Sequence, residues 1–426
     1  MSSLWKRALI CALFAGGMLA VGAGTASASG LTDPLIEQAQ SATNTNTTDQ
    51  SSNANAETHQ LNVNAPISIL SFGSNNGDVN QSNDASTTAV AVNQNETSQW
   101  IGQGQAASTG GSSCDPCGGS GEGVSQEQNG TNENETHQEA NANAETHQVN
   151  VNAPIAILSH GSNNGDVDQS NEASTTAVAG NQNETSQGVS QDQWASSDGS
   201  GHGCGGCGDG GGITQSQTGS NENSTGQEAN ADATTEQENW NVPVSILSFG
   251  GGGHGSCDSV KDGGCGGSGD GCGCSGDHRH DESDVTQSNE ATTQAVAGNH
   301  NATWQSVDQS QDATSSGSGG CCPAPGGHDG WDKDKGCGCE GPEGHGGIHQ
   351  SQDGSNSNAT RQEANANATT EQKNVNAPFS FGSFGAGGGD VDQANSADTT
   401  AKAFNANATG QSLNQVQTAA LGGGIA

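Results

Sequence analysis

At 426 residues the chain has the length of two or three ordinary domains, yet only 28% of it is apolar, with 7 Phe, 6 Trp, 2 Met and no Tyr. That is too little large apolar surface to offset the chain entropy lost in conventional cores, so the chain is either disordered or ordered by a repeating polar mechanism. Nine Lys+Arg stand against 47 Asp+Glu, a net charge of −38, and no Lys or Arg occurs from Ser29 to Val260, which excludes a phosphate-neutralising nucleic-acid binder and attraction to an anionic membrane.

The first predicted element is a secretory signal peptide at 1–28. Lys6 and Arg7 precede an apolar run from Ala8 to about Gly24, and Ala26-Ser27-Ala28 forms a small-x-small cleavage site before Ser29. A retained membrane anchor is the alternative, but the run is short and ends in small residues. Cys11 follows Ala8-Leu9-Ile10 and lacks the small residue that lipidation wants directly before the cysteine. Cleavage leaves 7 − 47 = −40 on the mature chain, an exported polyanion able to attract cations.

Four copies of one unit follow, at 36–105, 124–193, 213–311 and 348–417. Asn62-Val-Asn-Ala-Pro-Ile67-Ser-Ile-Leu70 returns from Asn150 to Leu158, from Asn239 to Leu247, and from Asn374 to Phe381. The block after it has a period of two. Val79, Gln81, Asn83, Ala85, Thr87, Ala89, Ala91, Asn93, Asn95, Thr97 and Gln99 are repeated letter for letter at alternate positions from Val167 to Gln187, Val285 to Gln305 and Val391 to Gln411, while the residues between them drift. The block before it behaves likewise from Ile36, Val124, Ile213 and Ile348, except for Ala42 and Ser52 in the first copy.

Constancy at alternate positions marks an extended strand with one specified face, since a helix would repeat at three and four. The Ala, Gln and Glu content keeps a helical reading open on propensity alone, and the low complexity keeps disorder open; the period decides for β structure. The fixed face is Gln, Asn, Thr and Ala, so its stabilisation comes from amides bonding to identical amides one layer away, with Thr and Ala packing closely. The expected fold is all-β, a repetitive β-solenoid or stacked cross-β arrangement with this face inward. Its stacking residues are Gln81, Asn83, Asn93, Asn95 and Gln99; Gln169, Asn171, Asn181, Asn183 and Gln187; Gln287, Asn289, Asn299, Asn301 and Gln305; and Gln393, Asn395, Asn405, Asn407 and Gln411. Leu61, Val63, Ala65, Ile67 and Ile69 carry the alternation into an apolar segment, interrupted by Pro66 and closed by a turn at 73–78.

Disordered Gly/Cys-rich linkers are expected at 106–123, 194–212 and 312–347, with an insertion at 250–284. They hold the twelve cysteines that survive export: Cys114 and Cys117, Cys204 and Cys207, Cys257, Cys265, Cys272 and Cys274, and Cys321, Cys322, Cys337 and Cys339. An even count in an exported chain reads as disulfides, local or between molecules. Zinc is the rival, because His202, His254, His278, His280, His328 and His345 share these segments, although the two Cys-x-x-Cys pairs stand about 90 residues apart. Calcium is represented only by motif fragments at Gly387–Asp390 and Gly269–Gly271. Asn-x-Thr/Ser triplets follow from composition, and no Ser, Cys or His has the rigid apolar setting that nucleophilic catalysis needs.

Gln217-Thr-Gly219-Ser-Asn221 and Gln352-Asp-Gly354-Ser-Asn356, followed by Gln227 and Gln362, resemble the repeats of curlin, the subunit of bacterial curli fibres. That family's repeats place Ser, Gln, Gly, Asn and Gln at fixed spacing and stack as amyloid strands outside the cell. The resemblance covers the β blocks only and departs in the Gly-to-Asn spacing, the longer Ala/Thr run and the cysteine linkers. It implies self-association at a bacterial surface. The expected function is therefore a secreted structural protein, non-enzymatic and without a resident cofactor, that assembles through its polar face into fibres or a sheath with cysteine crosslinks. A cell-surface or wall polymer is a further expected partner. The alternatives are an acidic calcium- or zinc-binding wall protein and a disordered hydrated spacer.

Overall fold

A computed structural model of the chain describes residues 24–28, 36–72, 77–110, 123–160, 165–199, 212–247, 284–317, 347–382 and 390–423. Among these residues every regular element is a strand. The order is β1 (Gly24–Ala28), β2 (Ile36–Asn64), β3 (Ile67–Ile69), β4 (Val79–Gly110), β5 (Val124–Asn152), β6 (Ile155–Ile157), β7 (Val167–Gly199), β8 (Ile213–Asn241), β9 (Val244–Ile246), β10 (Val285–Gly317), β11 (Ile348–Asn376), β12 (Phe379–Phe381) and β13 (Val391–Gly423). The fold is all-β, repetitive and solenoid-like.

Each unit forms one rung. Its first long strand runs out, a corner carrying the three-residue strand turns it, and the second long strand runs back over the first. The return is legible in the side-chain bonds between the two: Gln38 reaches the Ala106 carbonyl, Gln50 that of Gln94 and Asn62 that of Ser82. The four rungs stack in chain order as parallel, in-register sheets, β1-β4-β7-β10-β13 on one side, β11-β8-β5-β2 on the other, and β12-β9-β6-β3 at the corner. A strand of 33 residues spans about 110 Å, and rungs rise by about 4.8 Å, so the stack is a wide, shallow slab.

The corner needs special backbone. Pro66 and Pro154 lack an N–H but accept from Ile155 and Val244 of the next rung. Leu70, Leu158 and Leu247 then turn with φ of 55°, 52° and 51°, and the equivalent residue of the fourth rung is Gly382 at 62°, the residue for which a left-handed conformation carries no Cβ penalty. Gly165, at φ 66°, also lies where a Cβ would come 2.1 Å from the Gly77 carbonyl oxygen, so both its conformation and its space require glycine.

The alternate residues that are constant in sequence are the ones turned inward. The slab closes on methyl groups at its centre, where Ala91, Ala140, Ala144, Ala177, Ala229, Ala233, Ala295 and Ala297 are fully buried, and Ile101, Val189 and Val307 with Ala42 form a smaller apolar column. Opposite that column stand Gly130, Gly219 and Gly354. A Cβ on Gly219 would meet Val307 Cγ1 at 2.8 Å. Gly219→Ala is therefore expected to cost about 1–3 kcal/mol by overpacking, measured as a drop in the urea midpoint, and Val307→Ala in the same chain should relieve part of it. Outside, Trp100, Trp304 and Phe404 lie over the bare Gly188, Gly410 and Gly298 of adjacent rungs, each ring covering backbone that glycine leaves open.

One sequence expectation changes here. The strands extend to 110, 199, 317 and 423, so the first residues of the expected linkers are strand: the inward alternation continues through Ala107, Thr109, Ala195 and Ser197. Leu61, Val63, Ile67 and Ile69 continue the alternation on the outer face and are exposed, while Asn62 and Asn64 point inward. The apolar side chains follow strand parity, and at these positions parity faces solvent.

Candidate functional site

The chemistry-bearing feature is the polar interior. Every predicted stacking residue lies in an amide column. Asn83 donates to Asn171 at 3.0 Å, Asn171 to Asn289 at 3.0 Å and Asn289 to Asn395 at 3.0 Å. The columns of Asn93, Asn181, Asn299 and Asn405, and of Asn95, Asn183, Asn301 and Asn407, run the same way. Glutamines run in the opposite sense: Gln169 donates to Gln81, Gln287 to Gln169 and Gln393 to Gln287, as do Gln187, Gln305 and Gln411 down the Gln99 column. The interior columns are thus polar, with asparagine donors aimed at the last rung and glutamine donors at the first.

Amide nitrogens also bridge the two sheets. Gln187 Nε2 reaches the Glu222 carbonyl at 3.0 Å and Asn181 Nδ2 the Glu228 carbonyl at 2.6 Å. A side-chain amide has two N–H groups, and here one serves the next rung and the other the facing sheet. Threonines form a single hydroxyl chain that crosses back and forth between the sheets through Thr58, Thr87, Thr146, Thr175, Thr235, Thr293, Thr370 and Thr399, each step 2.7–2.8 Å. The crossing shows that the sheets are offset by half a rung.

At the two ends of the stack this interior reaches an edge. Gln393, Asn395, Asn405, Asn407 and Gln411, in the last strand, are exposed, whereas their counterparts in the middle rungs are buried. Among the described residues, no strand pairs with the outer edge of β2, β11 or β13, and that of β4 is covered only at Gln105–Thr109 by β1. The β1 segment is the end of the expected signal peptide. Among the described residues, two buried side-chain oxygens have no hydrogen-bond partner, Asn95 Oδ1 in the first rung and Asn132 Oδ1 in the second.

The outer face carries an electrostatic cluster around His147, and Lys373 lies against Glu238 and the Trp240 ring in another. His147 stacks on His59 with centroids 4.9 Å apart and holds Glu236 through Nδ1 at 2.8 Å, with Glu145 on its other nitrogen. Burial lowers its pKa, but Glu145 and Glu236 outweigh that, and the net shift is upward from the ordinary 6.5. A raised folded value means that the protonated ring stabilises the fold fully below about pH 6.5 and that this contribution is lost as pH rises through the folded pKa. Melting curves between pH 5 and 8.5 should show wild type above His147→Gln at the acid end, with the gap closing toward the alkaline end. Nearby, Asn53, Asn141, Asn143, Asn230, Asp232 and Asn365 line a shallow depression, where Asn365 donates to Asn230 and Asn230 to Asn141 across rungs, and Asn141, Asn230 and Asn365 also donate to Glu139, Glu228 and Glu363 of their own strands.

No protein-family model, curated protein or solved structure matches the chain. The amide columns and the edges where they end are therefore what bears on function. The twelve linker cysteines, the linker histidines and the calcium-motif fragment at 269–271 lie outside the described residues, as do the first three residues of the fragment at 387–390. Among the described residues, no group of three or more His, Cys, Asp or Glu is placed to hold a metal ion.

The stacking face is wider than the residues predicted for it. Gln103, Gln191, Gln309 and Gln415, and Gln105, Gln193, Gln311 and Gln417, form two further columns. Gln38, Gln126, Gln215 and Gln350 form another on the facing sheet. The signal for them is the same alternation, continued past Gln99 and present in the block that precedes the apolar segment.

Proposed function

We propose that this chain is a secreted, non-enzymatic structural protein that self-assembles through its Asn/Gln/Thr columns into an extracellular fibre, sheath or surface matrix, with the linker cysteines as crosslinks. One observation carries the reading: amide columns that run through all four rungs end at uncovered strand edges. An uncovered edge is a row of backbone donors and acceptors ready to pair with another chain. Natural monomers blunt such edges, and here they are about 100 Å long by strand geometry. The interior amides and hydroxyls are engaged with one another, which supports a scaffold role over a reactive one.

The test is assembly of the purified mature chain. The proposal expects a β-type circular dichroism spectrum, fibres in electron micrographs and an approximately 4.8 Å meridional reflection, with shorter or looser fibres under reductant. A random-coil spectrum with no fibres at any concentration would remove the proposal.

A further inference from the structure

We infer that copies of this chain join end to end in a single direction, the last rung of one copy docking in register on the first rung of the next. The partner for both open ends is a second copy of the chain. The inference rests on the assembly reading above and adds polarity and register to it.

The first support is the unpartnered acceptor. Asn95 is 2% exposed, and its Oδ1 has no hydrogen-bond partner. Its column donates rung by rung toward Asn407, so the missing donor is the Nδ2 that Asn407 of another copy would supply. The interior columns share one polarity: their asparagine donors end at the last rung and their glutamine donors at the first, so last-to-first joining continues them, whereas like ends would oppose donor to donor.

The second support is shape. Among the long strands, β2 faces only β4 and β13 faces only β11, while each long strand between them faces two. The first end is therefore stepped by half a rung on one sheet, and the last end is stepped by half a rung on the other. Joining last to first sets β13 beside β4 and β11 beside β2, and the steps close.

The third support is charge. Arg361, Lys373 and Lys402, the Lys and Arg of the described strands, are all in the last rung. Inside the molecule, in-register stacking places acid on acid, as in Asp84, Glu172 and Glu290 or Glu139, Glu228 and Glu363. Continuing the register from last to first rung puts Arg361 beside Asp49, His349 beside Glu37 and Glu371 beside His59. Asp353, Glu363, Asp392 and Asp398 fall beside Ser41, Ser51, Asn80 and Ser86, so no strand acid meets an acid; just before the strands Asp390 falls beside Asp78, continuing a column in which each backbone N–H donates to the carboxylate of the preceding rung. Two first ends would bring Glu37, Asp49, Glu57, Asp84 and Glu96 together with no Lys or Arg.

The test uses two mature chains, each blocked at one end. Asn405→Lys with Asn407→Lys blocks the last rung, where both residues are exposed and the ammonium groups become buried and unpaired only in a joint. Gln38→Lys with Gln50→Lys blocks the first rung and keeps donors for the Ala106 and Gln94 carbonyls. The common sign keeps the blocked ends from pairing. Neither chain alone should form fibres, and an equimolar mixture should give a discrete dimer by light scattering. A dimer of either chain alone would show that like ends join, and fibres from either would place the joint elsewhere; both overturn the inference while leaving assembly standing. Failure of the wild type to assemble overturns the assembly reading itself. Should a blocked chain lose its β spectrum, charge reversal decides: Arg361→Glu should raise the critical concentration up to about fivefold, and adding Asp49→Arg should restore it. No recovery would overturn the inference, because these residues sit in the outermost rungs of one molecule and meet only between copies.

Discussion

A chain carrying Asn171→Asp should lose about 3–5 kcal/mol of unfolding free energy at neutral pH, the order expected for a buried charge left without a partner. Asn171 is fully buried. Its Nδ2 faces the Glu238 carbonyl and the Asn239 and Asn289 side-chain oxygens, and its Oδ1 accepts from Asn83 and Asn150. A carboxylate keeps the accepting role but turns the donor into an acceptor aimed at three oxygens. Its pKa would be driven upward by burial and by these neighbours. With the folded value raised above the unfolded one, the penalty is present at neutral pH and shrinks as pH falls toward about 3.9. Urea titrations of both chains from pH 4 to 8 measure the difference. Asn143→Asp is the control: it lies on the outer face opposite Asp232 of the next rung, and should stay within about 0.5 kcal/mol.

Deleting Thr176 should be more damaging still. Side chains alternate faces, so removing one residue inside β7 turns every later inward residue outward. Ala177, Asn181 and Asn183 would leave the interior, and Val178, Gln182 and Glu184 would enter it. We expect loss of protease resistance and of slow amide exchange over the 177–199 half of β7 and its partners in β4 and β10. Deleting Thr175 and Thr176 together restores parity and should recover part of the protection, with columns displaced by one position. Ten Gly/Ser residues added within 250–283 should change little. The third unit shows why: ladder partners are 88 residues apart between Gln81 and Gln169 but 118 apart between Gln169 and Gln287, and the columns are equally regular. Loop length is weakly priced by entropy, whereas parity inside a strand is absolute.

These two cases also separate the features that are legible in the amino-acid sequence from those that are not. Period-two constancy identifies strands, their inward face and the rung repeat, because stacking identical residues forces that letter pattern. It does not reveal that the two long strands of a rung belong to different sheets, because face-to-face packing of Gln38 on the Ala106 backbone leaves no periodic trace. Leu61 and Val63 misdirect for a related reason: hydrophobicity argues for burial, but strand parity assigns the interior to Asn62 and Asn64. The orphan oxygen of Asn95 leaves no mark in the sequence, since it depends on where the stack ends.

The register also sets a clock. Each rung finds its partner in a segment 88 to 135 residues further along the chain, which places the fold at the slow, non-local extreme of topology. At about 5–20 residues per second of synthesis, a completed first rung waits about 4–18 s for the second to emerge. During that interval its edge pairs equally well with the corresponding rung of a neighbouring nascent chain, because the column letters are the same. Exchange of rungs between chains is then a competing folding route whose product has the same hydrogen bonds as the monomer, and local chain density sets the balance between the two.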